Sequence, residues 1–580
     1  MTDFNEICKS ISEGSFSDFK LVVAFISEGS ASKKAEANFS LAEKFISSGN
    51  LNKDYIRFAK VCAERGWLIS GFDEKYLDLY IRICIESSDF SGVKEAYKKT
   101  GLKYLKKSDL KNSIRYFNLW QNTYPHLLKK DDYSYDFEIM DALNEAIKSY
   151  VNNKYYSSEK SQKIKIAYLV HGVYNYSSIL TKIIYNLAKN HDKSRFEISV
   201  FSTDNYFKVK LQSGSRFIED FKVIGCPIVF PSKFLESPES VFDISEKIRD
   251  FKADILVAAS GLADFEQYLL CALKPAPIVV GLLLGPPAQF CPPVLDYGIT
   301  WSKHIAVDSP VETFITKPAI QYNRIQTECE SDKIKVRHDM GFSSEDILIV
   351  SAGRALKFQN SDMILSVSEV LKEYDNAYFV IVGAKKTDIG GIDSVITPEM
   401  ENKFYFIEWD LHYEKYLEMA DIYVDTFPSG GGVTLLDAAR YSLPIISFSD
   451  DFSNIFDQVD WNIAEELFEN DSLIMIPRYD YELFEKSLKR LIEDKPFREF
   501  FSRKSFKGIS VSDSDFRGIT SEYEMIYSNL IMDCGNKIVI SKSDMSLYDK
   551  LKYFLFYIFN SANFCKRNVV KVLNFMKLNK

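Results

Sequence analysis

Three short stretches of this chain combine residue types suited to a phosphate-bearing ligand. In Ser351-Ala352-Gly353-Arg354-Ala355-Leu356-Lys357, an arginine and a lysine follow an apolar run. A loop at a strand's end can aim Arg354 and Lys357 into a cleft, where two cations offset the charge of a departing nucleoside diphosphate. In Asp425-Thr426-Phe427-Pro428-Ser429-Gly430-Gly431-Gly432-Val433-Thr434, three successive glycines precede a helical pattern over Leu435 to Arg440. Gly430, Gly431 and Gly432 let backbone N–H groups approach a phosphate closely, and the helix N-terminus adds its positive dipole end. Thr434 can donate a further hydrogen bond, and Asp437, one turn into the helix, can accept from ribose hydroxyls. No Gly-Lys-Ser/Thr is present, which disfavours ATP hydrolysis of the P-loop type. In Glu408-Trp409-Asp410-Leu411-His412-Tyr413, aromatic rings can stack on a nucleobase. A solvated pair of cations, a structural tight turn and buried aromatics are the plainer readings of the same three stretches.

The elements needed to position these loops are legible in the apolar periodicity. From Lys333 onward, strands are expected at Ile347 to Ser351, Tyr378 to Val382, Phe404 to Ile407, Ile422 to Asp425 and Pro444 to Phe448. Helical stretches lie between them, including Ser361 to Leu371 and Tyr413 to Met419. An earlier unit has strands at Ile164 to Val170, Phe196 to Phe201, Ile255 to Ala259 and Ile278 to Leu284, with helices over Ile179 to Ala188 and Ile244 to Phe251. Strand–helix–strand order in both units predicts two doubly wound α/β domains in tandem, facing a cleft at the carboxyl ends of their strands. A final helix over Ser521 to Ile531 is expected to return to the first of them. Residues 1 to about 150 alternate helical patterns with polar breaks at Ser48-Gly49-Asn50, Ser87-Ser88-Asp89 and Lys107-Ser108-Asp109. The breaks are about 39 and 20 residues apart, so the array is irregular and not a strict repeat. The expected division is a helical, repeat-like domain over 1–155, Rossmann-like domains over 161–325 and 333–532, and a tail over 537–580.

Composition limits the classes open to the chain. Its 580 residues are 46% hydrophobic and 26% charged, an ordinary globular balance that is too long for one core. The nine cysteines are scattered without CxxC spacing, so neither a zinc site nor a disulfide framework is expected. No metal-binding residues are assigned. The opening MTDFNEICKSISEG has no charged-then-apolar leader pattern, no apolar run reaches membrane-spanning length, and a reducing cytoplasm is the expected compartment. A net charge of −9 argues against nucleic acid as a partner. That charge is uneven: residues 537–580 carry nine Lys/Arg and two Asp, a net of +7. The run Tyr553 to Phe559, with basic residues on both sides, could lie on an anionic membrane face or pack on the acidic body.

Several motifs together resemble those of O-GlcNAc transferases and their bacterial relatives. Asp254-Ile255-Leu256-Val257, Ala272-Leu273-Lys274-Pro275-Ala276-Pro277-Ile278, Leu284-Gly285-Pro286-Pro287 and Asp296-Tyr297-Gly298-Ile299-Thr300 resemble the family's first-domain signature. The Lys357 loop and Ala420 through Asp437 to Pro444 resemble its second. The resemblance spans roughly 163 to 480 with its motifs in order, and the helical N-terminal region looks like the family's repeat array. It implies a GT-B fold and a metal-independent, inverting hexosyltransferase with no cofactor beyond a UDP-sugar donor. By the same resemblance Lys357 falls on the diphosphate-binding lysine, Asp437 on the ribose-binding aspartate, and Tyr413 where the family has a base-contacting histidine. Gly432, Val433 and Thr434 fall on a His-Thr-Thr phosphate loop, of which the second Thr is retained. The loop after the first strand, His171-Gly172-Val173-Tyr174-Asn175-Tyr176-Ser177-Ser178, lacks the family's His-Pro element. His171 stands at that strand's end as the candidate catalytic histidine, without being the matching residue. A protein acceptor is expected. A polysaccharide or lipid-linked glycan at the membrane, or a non-catalytic partner subunit in a homo- or hetero-oligomer, stays open.

Overall fold

The computed structural model describes residues 29–47, 53–121, 137–148, 163–259, 265–284, 294–320, 330–449, 464–508 and 516–534, apart from residues 88, 177, 233–234, 236, 304–305, 307–310, 318, 359–360, 390–391, 409, 411, 428–429 and 469–470. The basic tail lies outside the described residues, as do Trp409, Leu411 and the Gly285-Pro286-Pro287 motif. The helices from Ala31 to Ile147 form one compact unit; the two sheets and their helices form another.

In the first unit, helices run over Ala31–Ser47, Lys53–Ile69, Glu74–Glu86, Phe90–Lys106, Leu110–Gln121 and Phe137–Ile147. The predicted polar breaks each fall between two of these helices, and so do residues 70–73. There Phe72 takes a left-handed φ of 63° and the Asp73 side chain caps the next helix by accepting the Lys75 N–H. Asp89 caps the helix that follows through the Gly92 N–H. Trp67 is buried and stacked on Tyr80 with ring centres 5.4 Å apart. Glu74 ties three helices together: its carboxylate accepts hydrogen bonds from Tyr104 and Tyr116, both at 2.7 Å.

The second unit holds two parallel sheets. The first comprises β1 (Ile164–Val170), β2 (Phe196–Ser202), β3 (Ile228–Val229), β4 (Ile255–Ala258), β5 (Ile278–Leu282), β6 (Tyr297–Thr300) and β7 (Glu312–Ile315), in the order β3-β2-β1-β4-β5-β6-β7. The second comprises β8 (Ile347–Ala352), β9 (Ala377–Val382), β10 (Phe404–Ile407), β11 (Ile422–Val424), β12 (Ile445–Phe448) and β13 (Ile474–Ile476), in the order β10-β9-β8-β11-β12-β13. Central strands such as β4 and β5 are buried along their whole length, as strands covered on both faces must be. In each sheet the order reverses beside the first strand, between β1 and β4 and between β8 and β11. Those two switch points are where an open α/β sheet binds ligands.

The final helix, Phe516–Cys534, returns to the first sheet. Its Ile519, Tyr523, Ile526, Tyr527 and Leu530 share one buried cluster with Ile166, Tyr168 and Ile183. No helix among the described residues is long and apolar enough to cross a membrane.

Candidate functional site

The first two of the three sequence stretches meet at the switch point of the second sheet. Lys357 lies in a short 3-10 turn, Ala355–Phe358, directly after β8. The glycine loop leaves β11, the neighbouring strand. Lys357 Nζ donates to the Gly430 carbonyl at 2.5 Å, so residues 73 positions apart in sequence share one hydrogen bond. The space is narrow because the strand ends crowd together. Gly383, after β9, has φ +100°, and a Cβ there would lie 2.4 Å from the Gly353 carbonyl oxygen. A Cβ on Gly431 would lie 2.3 Å from Thr434 Oγ1 and 2.9 Å from Asp425 Oδ1.

Charge in this corner is arranged around the half-buried Lys357 and the fully buried Asp425. Burial pushes the Lys357 ammonium down to about 8; the Asp425 carboxylate acts against that and the Arg354 guanidinium adds to it. Asp425 is buried at the end of β11. Its Oδ1 accepts the Thr426 N–H at 2.9 Å and the Gly431 N–H at 2.7 Å, and its Oδ2 accepts the Ser447 hydroxyl at 2.7 Å. Burial still holds its carboxyl above the ordinary aspartate range. Arg354 lies beside them, its side chain exposed at the surface although desolvation by the surrounding protein lowers its guanidinium below the ordinary arginine range.

The helix Val433–Arg440 starts at Gly432, which has no side chain to cap it, and among the described residues no capping hydrogen bond is made to its first N–H groups. An N-terminus in that condition presents donors and a positive dipole end to an anion. Thr434 is half-buried, and its hydroxyl interacts with the buried Tyr423 phenol, which also reaches the Ala352 carbonyl. Asp437 is buried and already paired. It accepts the Tyr413 hydroxyl hydrogen bond and receives Arg440 Nη1 at 2.9 Å. Burial and the adjacent Asp437 push the Tyr413 phenol well up, so it remains a neutral donor. Tyr413 and Asp437 thus come together at the mouth of the same helix, where a ribose hydroxyl would have to compete with the phenol.

His171 stands elsewhere, at the end of β1 and the switch point of the first sheet. Its Nδ1 lies 3.4 Å from Thr203 Oγ1 and 3.7 Å from Asp204 Oδ1. Asp204 is buried and held by the Ser202 hydroxyl and the Val173 N–H. The structure therefore gathers Lys357, Gly430, Gly431, Gly432, Val433, Thr434, Asp437 and Tyr413 on the second domain and leaves His171 on the first. The residues the sequence reading did not single out are Asp425 and Ser447. Their signal was present: an aspartate ending an apolar strand just before a glycine run is placed to hold that turn.

No protein-family model matches the chain, and no curated protein sequence does. Solved structures match by shape. A point mutant of the Thermobaculum terrenum O-GlcNAc transferase aligns over 92% of this chain and 99% of its own, with a TM-score of 0.51 at 13% identity. A glycosyltransferase from Rickettsia africae aligns over 64% of this chain and 99% of its own, with a TM-score of 0.48 at 12% identity. Anabaena HepE, crystallised with UDP-glucose, aligns over 64% and 100%, with a TM-score of 0.47 at 12% identity. The chain has the two-domain GT-B fold of the O-GlcNAc transferase, preceded by a helical region.

Proposed function

We propose that this chain is a glycosyltransferase that moves a sugar from a UDP-sugar to a protein acceptor bound through the helical array. The observation that carries the reading is the junction at the second switch point, where Lys357 meets the glycine loop ahead of a helix N-terminus that begins at a glycine. In such a transfer the acceptor oxygen attacks the anomeric carbon as the bond from that carbon to the donor phosphate breaks. The leaving diphosphate develops negative charge, which Lys357, Arg354 and the backbone N–H groups of the loop meet without a metal ion. Attack opposite to the leaving group inverts the anomeric configuration. The acceptor proton needs a base, and His171, with Asp204 beside it, is the candidate on the facing domain. The fold shared with an O-GlcNAc transferase supports the reading.

The test is consumption of UDP-, GDP- and ADP-sugars by the full chain in excess EDTA, with and without acceptor protein. Consumption of UDP-sugars, enhanced by acceptor, supports the proposal. A requirement for manganese or magnesium removes the metal-independent mechanism, and inertness toward all three donors with or without metal removes the activity.

A further inference from the structure

The Gly430 carbonyl and the Gly431 N–H belong to one peptide group, and the structure holds it from both ends. Lys357 donates to the carbonyl oxygen at 2.5 Å, and Asp425 accepts from the nitrogen at 2.7 Å. Asp425 is itself braced by Ser447 from β12 and by the Thr426 N–H, so it cannot turn away. A carboxylate enclosed in this way is costly unless charge and donors compensate it, and here three donors and one nearby cation do. Among the described residues Lys357 has no such brace. Its hydrogen bond there goes to a neutral carbonyl, and an anionic phosphate oxygen adds to such a bond the attraction between two full charges.

We infer that Asp425 is a positioning residue of the donor site, which fixes the Gly430–Gly431 peptide and, as a buried counter-charge, keeps the parked Lys357 ammonium ready for the diphosphate. Only the last clause rests on the proposed glycosyltransferase reading; the clamp itself is made by the protein's own groups. On this account, donor binding exchanges the Gly430 carbonyl for a phosphate oxygen at Lys357, while Asp425 keeps the glycine turn in place. Asn at position 425 separates the two roles. Its oxygen can still accept both N–H groups and its NH2 can donate to Ser447 Oγ, so the turn survives while the charge is lost.

The experiment labels lysines of the full chain by 13C reductive methylation and follows the Lys357 resonance with pH, assigned by its loss in Lys357→Arg. In wild type the midpoint lies near 8. In Asp425→Asn it falls by about one pH unit, the scale on which a neighbouring charge acts. The coupling is reciprocal. Lys357→Met, a change in a turn and not in the sheet core, therefore raises the Asp425 carboxyl midpoint read by infrared difference spectroscopy, and this arm serves if Asp425→Asn does not fold. A Lys357 midpoint unmoved in Asp425→Asn, or, where that variant does not fold, an Asp425 midpoint unmoved in Lys357→Met, overturns the inference. UDP titration of the same proteins reads the donor separately. Absence of UDP binding with the midpoints shifted discards the glycosyltransferase reading and leaves the clamp standing.

Discussion

Lys357 and the glycine loop make predictions that need only local physics. A lysine midpoint near 8 in the free protein rises when an anion binds beside it, so the ammonium form is the one that binds. The sign follows directly: donor affinity is at its full value below pH 8 and declines as the pH climbs through 8 toward the bound-state midpoint. Lys357→Arg, always protonated, flattens that decline in a calorimetric titration from pH 7 to 9.5, even if its overall affinity is lower. Gly431→Ala puts a methyl group 2.3 Å from Thr434 Oγ1, so the turn must shift away from Asp425. Donor affinity is expected to fall at least roughly tenfold, the cost of one misplaced charge-assisted contact, with the thermal midpoint nearly unchanged. At this scale the sequence marked Lys357 and the glycines as lying just after strands, because the apolar runs before them end sharply, and the structure brings them together. It was silent on which partners they would choose. Asp437 and Tyr413 read as ribose and base contacts, yet in the folded chain they bind each other, a pairing across 24 residues that no local pattern announces.

Elements were easier to read where periodicity was strong and flanks were polar. The strand at Phe404–Ile407 and the helix at Ser361–Leu371 begin and end where the apolar pattern puts them. The short edge strands Ile228–Val229, Glu312–Ile315 and Ile474–Ile476 were not anticipated, since two to four residues carry too little alternation to stand out. The final helix was expected to return to the first domain, but the device that fastens it was not visible. Glu524 accepts from His191 Nδ1 at 3.2 Å and from the Asp192 N–H at 2.6 Å, while His191 Nε2 meets the Tyr168 hydroxyl at 2.7 Å. Because a carboxylate only accepts, the neutral imidazole carries its proton on Nδ1. Glu524→Ala leaves the buried His191 N–H and the half-buried Asp192 N–H unpaired and is expected to cost about 1–3 kcal/mol in urea unfolding. Burial lowers the His191 midpoint below its ordinary 6.5. The unfolded chain therefore takes up a proton below pH 6.5 that the folded one resists. Stability is fully present above 6.5 and is lost as the pH falls toward the folded midpoint. His191→Phe removes that part of the slope between pH 7 and 5, which unfolding curves at several pH values measure.

For the molecule as a whole, the tandem α/β order in the sequence was enough to predict two parallel-sheet domains, and both are present; the strand orders that set their switch points come from the structure. The pattern of long-range contacts was beyond reach: a lysine after one strand and a carbonyl 73 residues on meet only because β8 and β11 are neighbours in the sheet. That meeting is the centre of the functional account, and it is tested most directly by titrating UDP into the full-length wild type and Lys357→Ala at pH 7 in EDTA. The account predicts saturable binding by wild type and a loss of about 2–4 kcal/mol in the variant, roughly a factor of 30 to 1,000, with the fold intact by circular dichroism. Equal affinity in the two proteins, or no binding by the wild type, would contradict it.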